Sequence, residues 1–142
     1  MRKAYYAPGD GIVFGPNGSG KRYISLNYHR GTPTKNKSTW SESLTRRTEF
    51  RIFCSADTGA WFDTRGNYWG IRDKGNTVLG TRGERIAKFP ANGNPTLPWH
   101  GYPASPNRKG AGDTPPNELV KKWEDDGHIS RPWARRLRKD WI

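Results

Sequence analysis

Apolar and polar residues alternate most clearly in the run Phe50-Arg51-Ile52-Phe53-Cys54-Ser55. In an extended chain Phe50, Ile52 and Cys54 fall on one side, and Arg51, Phe53 and Ser55 on the other. Turn chemistry follows at short intervals, in Asp57-Thr58-Gly59, Asp63-Thr64-Arg65-Gly66-Asn67, Asp73-Lys74-Gly75-Asn76 and Thr81-Arg82-Gly83-Glu84. Each supplies a glycine able to take positive φ. Between the turns lie the apolar strings 60–62, 68–71, 77–79 and 86–89. The pattern predicts an antiparallel meander of about four or five short strands over residues 49–89.

The flanks follow other rules. Ile12-Val13-Phe14 and the alternating run Tyr23-Ile24-Ser25-Leu26-Asn27-Tyr28 predict a hairpin around a glycine-rich loop. Residues 28–40 lack periodicity and read as a long exposed loop, with a short helical turn over 41–47. The segment 90–106 carries five prolines, which excludes a helix or an interior strand. Its Leu97, Trp99 and Tyr102 are expected to lie across the sheet. A hinge-like linker spans 107–114. Pro115 and Pro116 then open a helix with Leu119, Val120 and Trp123 on one face, closed by Gly127. Ser130 caps a second helix, with Pro132 in its first turn and Trp133, Leu137 and Trp141 in a stripe. The expectation is an α+β fold: a β core over 1–106, the linker 107–114, and a basic helical hairpin over 115–142.

Leu, Ile, Val and Phe together are sparse at 21 of 142 residues, but seven Trp and six Tyr can build a thin aromatic core. Lys and Arg outnumber Asp and Glu by 25 to 13, for a net charge of +12. Such an excess points to a polyanionic partner, RNA or DNA, or to an acidic protein. It is concentrated in the flanks: residues 1–48 carry nine basic and two acidic side chains. Cys54 is the one cysteine, which excludes an intrachain disulfide. With His29, His100 and His128 alone beside it, no closed zinc site, and no cofactor, is expected. The absence of an apolar export segment and of a spanning apolar stretch predicts a soluble chain in the cytoplasm with no membrane partner.

Gly15-Pro16-Asn17-Gly18-Ser19-Gly20-Lys21 matches G-x-x-x-x-G-K and resembles the Walker A loop of ABC-type ATPases. That resemblance implies phosphate binding by Lys21. The motif continues with Ser or Thr to hold Mg²⁺, where this chain has Arg22, and a strand pattern replaces the helix that follows in the family. A glycine-rich hairpin loop is the alternative, with Lys21 and Arg22 as basic groups beside it. The C-terminal hairpin resembles the helix-turn-helix unit of DNA-binding proteins, with a basic second helix carrying Arg131, Arg135, Arg136, Arg138 and Lys139.

Two function classes stand open, the nucleic-acid-binding protein first and, because no fixed spacing joins its residues, the enzyme second. In a nucleic-acid-binding protein, Lys21, Arg22, Lys35, Lys37, Arg46, Arg47 and the five basic residues of the last helix neutralise phosphates, while Trp40 stacks on bases. In a small metal-independent ribonuclease, His29, His100 and Glu49 perform acid–base work and Arg46 or Arg47 stabilises the transition state. His100, between Trp99 and Gly101 on a proline-rich segment, has a placement common to catalytic histidines and to structural ones. Docking onto an acidic protein is the third reading.

Overall fold

Thr45 caps a helix where the sequence pattern predicts the start of the meander. Its side chain accepts from the Thr48 amide at 3.1 Å, and helix α1 runs from Arg46 to Gly59. The six-residue alternation over 50–55 competes with a longer stripe. Glu49, Ile52, Phe53 and Ala56 recur at helical spacing, and all four are buried. A stripe two turns long, behind a threonine cap and free of proline, outweighs a short alternation. The helix ends at Ala60, whose backbone is left-handed (φ 56°) and whose amide bonds back to Ala56 and Asp57.

The computed structural model describes residues 9–34 and 37–139, so Lys35, Trp141 and residues 1–8 lie outside the described residues. Strands β1 (Gly11–Phe14) and β2 (Tyr23–Leu26) pair antiparallel, with Phe14 opposite Tyr23, as the hairpin pattern predicts. The meander is present but lies later in the chain than expected. It consists of β3 (Tyr68–Gly70), β4 (Ile86–Phe89) and β5 (Tyr102–Ala104), in that order and all antiparallel. Residues 60–62 and 77–79 supply no strand, only the isolated bridges Phe62 to Tyr68 and, nearby, Trp40 to Gly80. The proline-rich segment contributes β5, at an edge of the sheet where Pro103 is tolerated.

Trp99 joins hairpin and meander. Its amide donates to the Arg22 carbonyl at 2.8 Å, and its carbonyl accepts from the Ile24 amide at 2.7 Å. The core gathers around Phe53, whose ring meets Tyr23, Tyr68, Phe89 and Trp99 at centroid distances of 5.6, 5.6, 5.4 and 5.5 Å. Aromatic rings therefore do replace the missing aliphatics. The stretch expected as a linker folds into helix α2 (Pro106–Lys109) and a 3-10 turn (Gly110–Asp113). There the buried Asp113 accepts from the Ser105 amide at 2.8 Å and from the Tyr102 hydroxyl at 3.1 Å.

The C-terminal hairpin forms as its caps predict, from α3 (Asn117–Asp125) and α4 (Arg131–Arg138). Gly127 takes φ 77°, and the Ser130 hydroxyl accepts from the Trp133 amide. Leu119, Val120, Trp123, Ala134 and Leu137 join the same core as α1 and the sheet. No helix among the described residues is long and apolar enough to cross a membrane.

Phe53→Ala is expected to cost about 3 to 5 kcal/mol, the usual range for emptying a buried aromatic site. Urea unfolding followed by tryptophan fluorescence measures it, and a loss below about 1 kcal/mol would show that the ring cluster is not the core.

Candidate functional site

The face of α1 that meets the hairpin carries Arg46, Glu49, Phe50 and Phe53, at successive helical positions on one side. Opposite it, the pleat of β2 turns Tyr23 and Ser25 the same way. The Glu49 carboxylate, 1% exposed, sits between them. Tyr23 donates its hydroxyl to Oε1 at 2.7 Å and Ser25 donates to Oε2 at 2.6 Å. Arg30 adds its Nε at 2.7 Å and pairs through Nη2 as well, while its Nη1 donates to the Leu44 carbonyl. Burial pushes the Glu49 carboxyl up, against the pull of Ser25, Arg30 and Tyr23. Burial and the neighbouring carboxylate likewise push the Tyr23 hydroxyl well above its usual range.

Two histidine-bearing segments meet near this carboxylate, one of them bonded to it. His29 precedes Arg30 in the chain. On the other side the Gly101 backbone pulls the pKa of the Tyr23 hydroxyl down, against burial, and the Gly101 carbonyl accepts from the Trp40 indole at 3.2 Å. A side chain at 101 would place its Cβ 2.2 Å from the Phe89 ring, so glycine alone allows this approach. His100 is thereby brought over His29. Their rings are nearly parallel, 8° apart in plane, with centroids separated by 6.3 Å. Tyr102 stacks on His29 at 5.6 Å.

His29 is held in one tautomer. Its Nδ1 lies 2.9 Å from the Ser38 carbonyl, which can only accept, so Nδ1 carries the proton and Nε2 keeps its lone pair. Burial lowers its pKa below the ordinary value of 6.5, and the charges of Lys37 and Lys109 lower it further, against the Ser38 bond. The imidazole is therefore neutral at neutral pH, with its basic nitrogen unprotonated.

The remaining candidates divide by what they touch. The glycine loop folds back on α1: Asp57 accepts from Asn17 at 2.9 Å, from Ser19, and from Tyr68 at 2.9 Å, and pairs with Lys21 at 3.1 Å. Burial raises the Asp57 pKa, but the bonds from Ser19, Lys21, Tyr68 and Asn17 outweigh it and leave it lowered. Lys21 is thus engaged within the fold, and the loop lies in a hairpin rather than before a helix. Arg22 donates to the Thr96 carbonyl, and Arg46 to the Ser25 carbonyl and Asn27. Arg47 lies over Phe14 and Lys37 over Tyr28. Trp40, expected to offer its ring to bases, is 1% exposed and sits inside the core.

On α4, Arg131 and Arg138 pair with Glu124 at 3.5 and 3.1 Å, and Arg136 lies over Trp133. Arg135 and Lys139 are exposed. Glu49, expected as an acid or base, has its oxygens occupied by donors and is buried. It positions the histidine segments rather than facing solvent. Sequence reasoning missed Tyr23, Ser25, Arg30 and Tyr102. The signal for the first two was the alternation in β2, which places both on one face. A scan against protein-family models found no match, and searches of curated proteins and of solved structures found none.

Glu49→Gln removes the charge that compensates Arg30 in a buried pair, and is expected to lower stability by about 3 to 5 kcal/mol. Chemical denaturation checks this. A proton NMR spectrum in which the His29 and His100 ring signals stay unmoved in the variant would contradict the positioning role.

Proposed function

We propose that this protein is a metal-independent ribonuclease in which His29 and His100 share the acid–base work. The observation that carries the proposal is the meeting of two imidazoles from positions 29 and 100, stacked at 6.3 Å, with the first next in the chain to the arginine that holds a buried carboxylate. Paired proton-transfer groups are what cleavage of an RNA strand through its own 2′-hydroxyl requires. His29, neutral and with Nε2 unprotonated, takes the proton of the 2′-hydroxyl. The 2′-oxygen bonds to phosphorus, the bond from phosphorus to the 5′-oxygen breaks, and His100 supplies the proton to that leaving oxygen. Lys37 and Lys109, whose charges already bear on His29, offset the negative charge that builds on the phosphoryl oxygens.

The excess of 25 basic over 13 acidic residues supports the same substrate class, because a polyanion is drawn to such a chain without regard to sequence. A nucleic-acid-binding protein that does not cleave is the second reading, favoured by the exposed Arg135 and Lys139 on α4. Both share the partner and differ in the chemistry.

Incubation with total RNA in excess EDTA separates them. Cleavage by the wild-type protein is expected, with a fall of ~10² or more in His29→Ala and in His100→Ala while circular dichroism stays unchanged. Binding without cleavage leaves the second reading. The pH profile follows from the lowered His29 pKa. A base works deprotonated, so kcat/KM is expected to stay high as pH falls and to drop only below the ordinary 6.5 of imidazole. An acid limb at or above that value contradicts the assignment of His29 as base.

A further inference from the structure

Away from the histidines, one indole collects two guanidinium groups. Trp133 lies in the first turn of α4, and its Nε1 donates to the Asn76 side chain at 2.9 Å, which fixes the ring. The Arg85 guanidinium carbon is 4.8 Å from the ring centroid and that of Arg136 is 4.7 Å from it. Arg85 also donates to the Asn76 carbonyl at 2.6 Å. No ion pair joins either arginine to a carboxylate among the described residues, whereas Arg131 and Arg138 of the same helix are both paired with Glu124. Two like charges gathered on one ring repel each other, and an anion placed between them relieves that repulsion.

The geometry points to a phosphodiester-binding exosite: we propose that Arg85, Trp133 and Arg136 grip the backbone of an RNA strand that runs on from the histidine pair. A phosphodiester offers two acceptor oxygens, and each guanidinium offers a fork of donors that fits them. The indole holds both guanidinium groups near its ring and so limits the freedom lost on binding. Along the backbone the two groups lie close together. Arg85 directly precedes β4, and Lys88 of β4 stands opposite Tyr102, the ring that stacks on His29. Three residues of extended chain separate the two levels, on the order of 10 Å. The site deepens the ribonuclease reading but stands on a different group of residues.

The test uses the His29→Ala protein, so that binding is read without cleavage, and a fluorescein-labelled oligouridine of about 12 nucleotides. Fluorescence anisotropy is measured across salt concentrations. Arg85→Gln and Arg136→Gln are each expected to weaken binding roughly tenfold at low salt. Together they should flatten the log–log salt slope by about 0.7, the share of one phosphate that is no longer neutralised. Arg51→Gln removes the same charge from the exposed side of α1 and serves as the control. Trp133→Leu should reproduce the loss if it folds, and the two arginine variants decide the matter if it does not. Arginine variants that shift affinity and slope no more than Arg51→Gln overturn the exosite. RNA binding with these losses, in a wild-type protein that never cleaves, supports the exosite and sinks the histidine chemistry. Absence of any oligouridine binding overturns it.

Discussion

One buried carboxylate decides how this small fold is put together. Glu49 is the charge that α1 carries into the core, and a charge at 1% exposure persists only where donors replace the water it lost. Those donors come from two separate segments: Tyr23 and Ser25 from β2, and Arg30 from the loop after it. The requirement to satisfy Glu49 therefore fixes helix, hairpin and loop relative to one another. The Gly101 backbone, just before β5, acts on the Tyr23 hydroxyl as well. Aromatic packing supplies the bulk of the core, since rings can meet in many arrangements. The hydrogen bonds of the carboxylate are directional, and they select one.

That arrangement leaves His29 and His100 face to face at the margin of the core. Neither residue is placed by its own side chain alone. His29 is held by the Ser38 carbonyl and by the Arg30 beside it, and His100 by the glycine that follows, pinned against Phe89 where no Cβ fits. The basic residues sort themselves in the same way. Lys21, Arg30, Arg46, Arg131 and Arg138 serve pairings inside the fold. Arg85 and Arg136 are held against a ring and paired with no carboxylate among the described residues. A net charge of +12 thus overstates the surface available to a partner, and the positions without carboxylate partners say more than the total.

Much of this was legible in the chain, and where it was not there is a physical reason. Caps and breakers worked. Ser130, Pro132 and Gly127 marked the helical hairpin, and the prolines of 90–106 excluded an interior strand, because these residues act through local backbone geometry. The run from Phe50 to Ser55 misled because it carries two periods at once. The stripe that includes Glu49 looks polar at one of its buried positions, so the helical period was disguised by the residue most important to the fold. The loop that leads to Trp40 reads as exposed because it is rich in Lys, Ser and Thr, yet the Trp40 ring fills the space beside Phe89. The union of His29 with His100 could not be read from spacing, since it depends on contacts between segments about 70 residues apart.

The central claim is that the two histidines move a proton from a ribose hydroxyl to a leaving oxygen without a metal. The most direct test is a DNA oligonucleotide containing a single ribonucleotide, incubated in EDTA, with the products resolved by mass spectrometry. The account requires one cut, on the 3′ side of that ribose, leaving a 2′,3′-cyclic phosphate. Cuts at deoxyribose positions, or an intact strand under conditions where the protein binds it, would contradict it.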